Sequence, residues 1–316
     1  MPSKYFVMFN VRKNMSFQDY FLSYFRHYAF YPDVVKRYSR TYKNFLKVLL
    51  SASKNNFPIT VKLKSGEQRT FYSIRDLGAT SAGFKNWYKV ENELVIINKN
   101  DFQNIRFHNA LNNGDLFTCF FLEEYDFLPI KGKVVVDIGA SIGDSSIYFA
   151  LKGAKKVIAL EPYPLNYESA KLNIKENNLS EKIHLFNAGC SGKDGTITIN
   201  PSQEGPISSL KEFEHGKEIP LMSLSRIIKE FDIENGILKM DCEGCEYDSL
   251  LNLPNDELKK FSHVALEYHY GYKNLKKKLE NCGFNIRRVS PPVYHFRSDH
   301  LNSKTFIGEI FAEQIS

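Results

Sequence analysis

The chain has 316 residues, 43% hydrophobic and 25% charged, with a formal net charge of +6 at pH 7. This suffices for one full α/β core with about a hundred residues to spare. No apolar run approaches the roughly 20 residues that cross a bilayer, and the N-terminus lacks the apolar stretch of a secretory signal. We therefore expect a cytoplasmic protein without a transmembrane segment. Five cysteines, odd in number and sparse, do not form a disulfide framework and are expected to be reduced. Cys242 and Cys245 make a Cys-x-x-Cys, but no second pair or paired His completes a zinc site, and the intervening Glu-Gly is unlike a redox pair.

Charge is uneven along the chain. Residues 1–56 hold ten Lys or Arg against Asp19 and Asp33, a local +8, so the remaining 260 residues sum to −2. Phe17, Tyr20, Phe21, Tyr24, Phe25 and Tyr28 recur there at helical spacing. The pattern predicts an amphipathic helix whose aromatic stripe packs on the rest of the chain. The alternatives are a surface for an anionic or sugar-bearing molecule, a membrane face or a second protomer. Next, Ile59–Leu63 and Arg69–Ser73 flank Lys64-Ser65-Gly66-Glu67-Gln68, a hairpin signal, and Glu93–Asn98 offers another strand. Asn112-Asn113-Gly114 reads as a turn before a helix over Asp115–Phe127. We divide the chain into an N-terminal extension, residues 1–112, and a main domain, residues 113–316.

The main domain opens with Val134-Val135-Val136-Asp137-Ile138-Gly139-Ala140-Ser141-Ile142-Gly143-Asp144, an apolar β-branched run that breaks into glycines where a helical pattern starts. A dinucleotide loop would show Gly-x-Gly-x-x-Gly; here an Asp precedes two glycines spaced four apart. That suits S-adenosyl-L-methionine (SAM), which carries a carboxylate and no pyrophosphate. Glycine lets backbone approach the ligand, and a helix N-terminus near Gly143 offers free N–H groups to the carboxylate. Asp137 would face the ligand's ammonium or a bound water. A helix over Ser145–Lys152 stops at Gly153, and a second strand, Val157–Leu160, ends in Glu161, where an acid accepts both ribose hydroxyls. Leu165–Asn177 resumes a helix, and Lys182–Phe186 is a third strand. Asn187 then either bonds the adenine edge or stabilises the turn.

Gly195–Asn200 looks like a strand outside the alternating pattern, and Pro201–Pro206 with Ser208-Ser209 makes a polar loop. Helix Ser223–Phe231 leads to a fourth strand, Gly236–Met240. It ends in Asp241-Cys242-Glu243-Gly244-Cys245-Glu246, where three carboxylates crowd one strand end and need compensation. A fifth strand, Val264–Leu266, delivers Glu267-Tyr268-His269 to the same edge, with Glu267 and His269 on one side and Tyr268 opposite.

Together, Val136–Asp144, Leu160-Glu161-Pro162, Leu238–Glu246 and Leu266–His269 resemble the FkbM family of SAM-dependent methyltransferases over roughly residues 133–290. The Lys-x-Asp-x-Glu-Gly-x-Glu element is the most specific part. Ser141 stands where the family usually has Asn, and Cys242 and Cys245 replace apolar residues. The resemblance implies an α/β class I (Rossmann-like) fold, O-methylation of a sugar or other hydroxylated metabolite, and late strands Phe284–Val289 and Lys304–Ala312 as an antiparallel hairpin. The loop between them carries His295, Arg297 and His300, read as surface residues first. The SAM-binding candidates are Asp137, Gly139, Ala140, Ser141, Gly143, Glu161 and Asn187. The catalytic candidates are His269 as general base, Glu267 orienting it, and Asp241 and Glu243 placing the acceptor. No metal ligand is assigned; Mg²⁺ on Asp241, Glu243, Glu267 and His269 is a less favoured alternative. A nucleic-acid methyltransferase using the basic N-terminal region and a non-catalytic SAM-binding protein are the other readings. Against the first, the fourth strand lacks the Asn/Asp-Pro-Pro-Tyr/Phe pattern that holds a planar amine.

Overall fold

A computed structural model describes residues 11–81, 87–99, 101–110, 115–200, 215–296 and 304–314. The chain forms two compact units, Met1–His27 with Tyr125–Ser316, and Tyr28–Glu124. The described residues before Tyr28 thus group with the larger unit, and no composition change marks that point. Among the described residues no helix is long and apolar enough to cross a membrane.

In the larger unit, β1 (Val134–Ile138), α1 (Asp144–Leu151), β2 (Lys156–Leu160), α2 (Pro164–Glu176) and β3 (Ile183–Phe186) alternate. They are followed by α3 (Leu224–Glu230), β4 (Gly236–Met240), α4 (Cys245–Asn252), β5 (Phe261–Tyr268), α5 (Lys273–Asn281), β6 (Phe284–Val289) and β7 (Lys304–Gln314). The sheet order is β3-β2-β1-β4-β5-β7-β6. Strands β1 to β5 pair in parallel, while β7 runs antiparallel to both β5 and β6. This is the class I methyltransferase sheet. Parallel strands buried on both faces read as continuous apolar runs, which is why β1, β2 and β4 stand out in the sequence. The chain reverses its direction of sheet growth between β1 and β4, so a crevice opens at their carboxyl ends.

Strand β5 is longer than the expected Val264–Leu266, because β4 pairs with it over Phe261–Leu266 and β7 over His263–Tyr268. The late hairpin forms with β7 inserted between β5 and β6, and Val293–Phe296 pairs with the start of β7. His295 lies in that added strand; Arg297 and His300 lie outside the described residues, as do the polar loop at 201–209 and the turn at 112–114. Gly195–Ile199 is a strand off the main sheet, in a small sheet with Gly189–Ser191 and Lys217–Ser223.

A helix over Phe17–Thr41 is capped by Ser16, whose Oγ accepts from the Asp19 N–H at 2.9 Å. Its first turns pack on the late strands: Tyr20 stacks on Phe306 with ring centroids 5.2 Å apart and Tyr24 meets Tyr294 at 4.4 Å. Phe17, Phe21 and Phe25 are exposed on the other side, so the aromatic stripe is divided. Asn14, just before the helix, donates through Nδ2 to the carbonyls of Tyr270 and Gly271 and ties down the turn after β5.

In the unit Tyr28–Glu124 the expected hairpin pairs Ile59–Lys62 with Gln68–Phe71. Leu94–Lys99 is the middle of a three-stranded meander with Tyr88–Glu91 and Phe102–Phe107. The helix expected over Asp115–Phe127 is instead a short turn of helix ending at Phe121. Lys99 Nζ stops it, donating to the carbonyls of Phe120 and Phe121 and pairing with Glu123, whose backbone has φ +51°.

Candidate active site

Three left-handed residues shape the loop between β1 and α1: Gly139 (φ +79°), Ser141 (+48°) and Gly143 (+87°). At Gly139 a Cβ would fall 1.8 Å from the backbone oxygen of Asp241, so only glycine lets the loop lie against the end of β4. Ser141 occupies a conformation that Asn tolerates better, the physical content of its departure from the family pattern. Ala140 is buried, and its N–H, like that of Gly139, donates to the Leu160 carbonyl at 3.0 Å.

Asp137 corrects one expectation. It is 0% exposed, its Oδ2 accepts from Ser145 and Ser146 at 2.7 and 2.5 Å, and its Oδ1 pairs with Lys239 Nζ at 3.0 Å. Its lone pairs face protein donors, so it holds the loop from beneath. Lys239, itself 3% exposed, also donates to the Gly139 carbonyl at 2.8 Å. The Asp137 carboxylate outweighs the burial that opposes the Lys239 charge and keeps its pKa above the ordinary lysine value. Lys239 had no role from sequence, although a lysine inside an otherwise apolar buried strand is a visible signal.

Glu161 is 4% exposed and accepts from the N–H groups of Ser141 (2.8 Å) and Tyr163 (2.9 Å), tying the loop to the end of β2. Burial pushes its pKa up to about 7, although those two N–H donors oppose the shift. Asn187 donates through Nδ2 to the carbonyls of Glu161 (3.0 Å) and Pro162 (2.9 Å). Of its two alternatives, turn stabilisation is the one these contacts support.

The carboxyl ends of β4 and β5 bring all four catalytic candidates together around His269, which is 0% exposed. Its Nε2 lies 2.9 Å from Glu243, 3.1 Å from Glu267 and 4.0 Å from Asp241, and its Nδ1 lies 3.3 Å from Glu246. These are ion-pair distances; among the described residues neither nitrogen makes an aligned hydrogen bond. Burial opposes a charged imidazole, but Glu243 and Glu246 outweigh it and hold the His269 pKa well above its ordinary value. The Asp241 carboxyl is raised by burial and by the Glu267 charge, against Lys239; with 37% of its side chain exposed, water moderates the shift. Glu246, the second residue the sequence left without a role, is fully buried and accepts from the Cys242 N–H at 3.0 Å. Cys242 and Cys245 are joined by a disulfide, contrary to the expectation of free thiols: they flank a tight turn that brings the sulfurs together and presents Glu243 at φ +61°. Cys119, Cys190 and Cys282 are free and buried.

A parallel sheet of this order, a glycine loop at the switch point and an acid ending β2 define a SAM-dependent methyltransferase of class I. Residues 137–286 match the methyltransferase FkbM domain. It is 28% identical over 166 residues to the uncharacterized protein 158B of Sulfolobus islandicus rod-shaped virus 1, covering 50% of this chain and 79% of that protein. It is 24% identical over 203 residues to the methyltransferase sdnD of Sordaria araneosa, covering 52% and 78%. Among solved structures, a methyltransferase FkbM from Methylobacillus flagellatus KT aligns with a TM-score of 0.40 at 18% identity, covering 62% of this chain and 47% of that one.

Proposed function

We propose that this domain transfers the SAM methyl group to a hydroxyl of a glycan or other hydroxylated metabolite. The observation that carries the proposal is the gathering of Asp241, Glu243 and Glu267 around His269, with the Asp241 backbone against Gly139 of the donor loop. In the reaction the acceptor oxygen attacks the methyl carbon in line as the C–S bond breaks, SAM becomes a neutral thioether, and the hydroxyl proton passes to a base. The His269 imidazole is 0% exposed and enclosed by Glu243, Glu246 and Glu267, so an acceptor hydroxyl does not reach it, and we assign the base role given to it from sequence to the carboxylates. Asp241 and Glu267 keep 37% and 34% of their side chains exposed and so can meet an acceptor. We assign the base role to Asp241, whose raised pKa favours taking up the proton. When protonated, the His269 imidazole, its pKa held up by Glu243 and Glu246, offsets the mutual repulsion of these carboxylates.

Asp241→Asn should lower kcat by roughly 10²- to 10⁴-fold while leaving affinity for S-adenosylhomocysteine (SAH) intact. Unchanged turnover would remove Asp241 from the role. The acceptor class is checked by incubating the protein with methyl-labelled SAM and fractionated cell extract. Label is expected in glycan or small metabolites, and label confined to nucleic acid or protein overturns the assignment.

Glu161 adds a pH dependence. Both its oxygens accept from the ribose hydroxyls, and strongly, when it is ionised, so SAH should bind up to about tenfold more weakly at pH 6 than at pH 8, given a pKa of about 7. For stability the sign is opposite: a raised carboxyl pKa favours the fold fully below the unfolded value, and that contribution is lost as pH rises through about 7. Calorimetric titration with SAH across this range should show the slope in the natural protein and a flat profile in Glu161→Gln. A flat profile in both would exclude Glu161 as the ribose acceptor.

A further inference from the structure

The geometry points to a divalent transition-metal site formed by Asp241, Glu267 and His269. One oxygen of each carboxylate and one imidazole nitrogen all lie within 4.8 Å of one another. Around an ion with bonds of about 2.1 Å, neighbouring octahedral donors sit about 3.0 Å apart and opposite donors about 4.2 Å. His269 Nε2 is 3.1 Å from Glu267 Oε1 and 4.0 Å from Asp241 Oδ1, spacings that one ion placed between them satisfies. Glu243 Oε2, 2.9 Å from the same nitrogen, stands where a fourth donor would.

Acidic clusters alone are common on protein surfaces; His269 makes this one different. The imidazole is 0% exposed, aims Nε2 into the carboxylates, and has no aligned hydrogen-bond partner at either nitrogen among the described residues. Its other nitrogen faces the buried Glu246 carboxylate at 3.3 Å. Metal-binding histidines are typically oriented by such a carboxylate behind the ring. Glu246 is fixed in turn by the Cys242 N–H at 3.0 Å, and the chain just beyond His269 by Asn14. A mixed imidazole and carboxylate set suits Mn²⁺, Fe²⁺, Co²⁺ or Zn²⁺, whereas Mg²⁺ prefers oxygen donors alone.

The chemical role of the ion rests on the hydroxyl-methylation proposal above, whereas the site itself rests on the geometry. An acceptor hydroxyl bound to the ion loses its proton more readily, and the carboxylate oxygen of Asp241 or Glu267 turned away from the ion receives that proton. The oxygen then forms the C–O bond as the C–S bond breaks, and the ion keeps its oxidation state.

The test uses the full chain freed of metal by dialysis and titrated with MnCl₂, with unbound Mn²⁺ followed by its paramagnetic resonance signal. We expect one ion per chain, with Mg²⁺ in large excess displacing it poorly. Glu267→Gln should weaken binding at least 100-fold, and Glu246→Gln by 10- to 100-fold, with SAH affinity preserved in both as proof of folding. Because His269→Gln is the variant at most risk of misfolding, Co²⁺ absorption of the natural protein supplies a second readout, its visible bands reporting a nitrogen-containing set. Absence of stoichiometric Mn²⁺ and Co²⁺ binding overturns the site, and so does binding that Glu267→Gln leaves unchanged. Methyl label that enters no hydroxylated acceptor, with one Mn²⁺ bound, overturns the functional proposal and leaves the metal site standing.

Discussion

Gly139→Ala should destabilise the protein by about 2–5 kcal/mol and abolish SAH binding. The left-handed backbone costs a side chain about 1–2 kcal/mol, and forcing an atom into a filled space costs a further ~1–3 kcal/mol. The second cost arises because the new Cβ would stand 1.8 Å from a backbone oxygen of Asp241, which has no rotamer to escape into. Either the donor loop lifts away or the end of β4 shifts, and both break the junction between the two halves of the site. Gly132 is the matched control: its φ is +78°, and a Cβ there meets nothing within 4 Å. Gly132→Ala should therefore show only the backbone cost, about 1–2 kcal/mol, with SAH affinity unchanged. Urea unfolding of the two variants decides the matter, and equal losses would mean that the close approach at Gly139 contributes nothing.

Lys239→Met should be comparably damaging, by about 3–5 kcal/mol, because it leaves the Asp137 carboxylate buried without its cation. Three contacts change together: the ion pair with Asp137 at 3.0 Å, the hydrogen bond to the Gly139 carbonyl at 2.8 Å, and the positive charge that opposes the raised Asp241 pKa. Ser145 and Ser146 still donate to Asp137, but two neutral hydroxyls do not replace an ammonium in a buried strand. Adding Asp137→Asn removes the stranded charge, so the double variant should be more stable than Lys239→Met alone. If the double variant is the less stable of the two, the damage lies in lost packing and the charge argument fails.

These two residues also mark the limit of what local pattern shows. The strand ending in Asp137, the glycines that follow and the acid at 161 are legible because a buried parallel strand must be apolar, a sharp loop must use glycine, and helix and strand differ in period. The carboxylates of Asp241, Glu243 and Glu267 and the imidazole of His269 are legible as a group too, since each lies within three residues of a strand's carboxyl end. Alternation even puts Glu267 and His269 on one side, and their side chains meet at 3.1 Å.

Which partners each of those groups meets depends on distant parts of the chain. Asp137 looks like a ligand group in its motif, yet Lys239 lies across the sheet on a strand about a hundred residues later, and only the β1–β4 pairing brings them together. His269 reads as a base in its motif, and only the fold places Glu243 and Glu246 against its two nitrogens. The sequence by itself determined the elements, the donor loop and the roster of chemical groups, because these follow from local propensity and periodicity. The tertiary structure decided which groups are buried, paired and charged, because a side chain's charge depends on the dielectric and neighbours that distant strands supply.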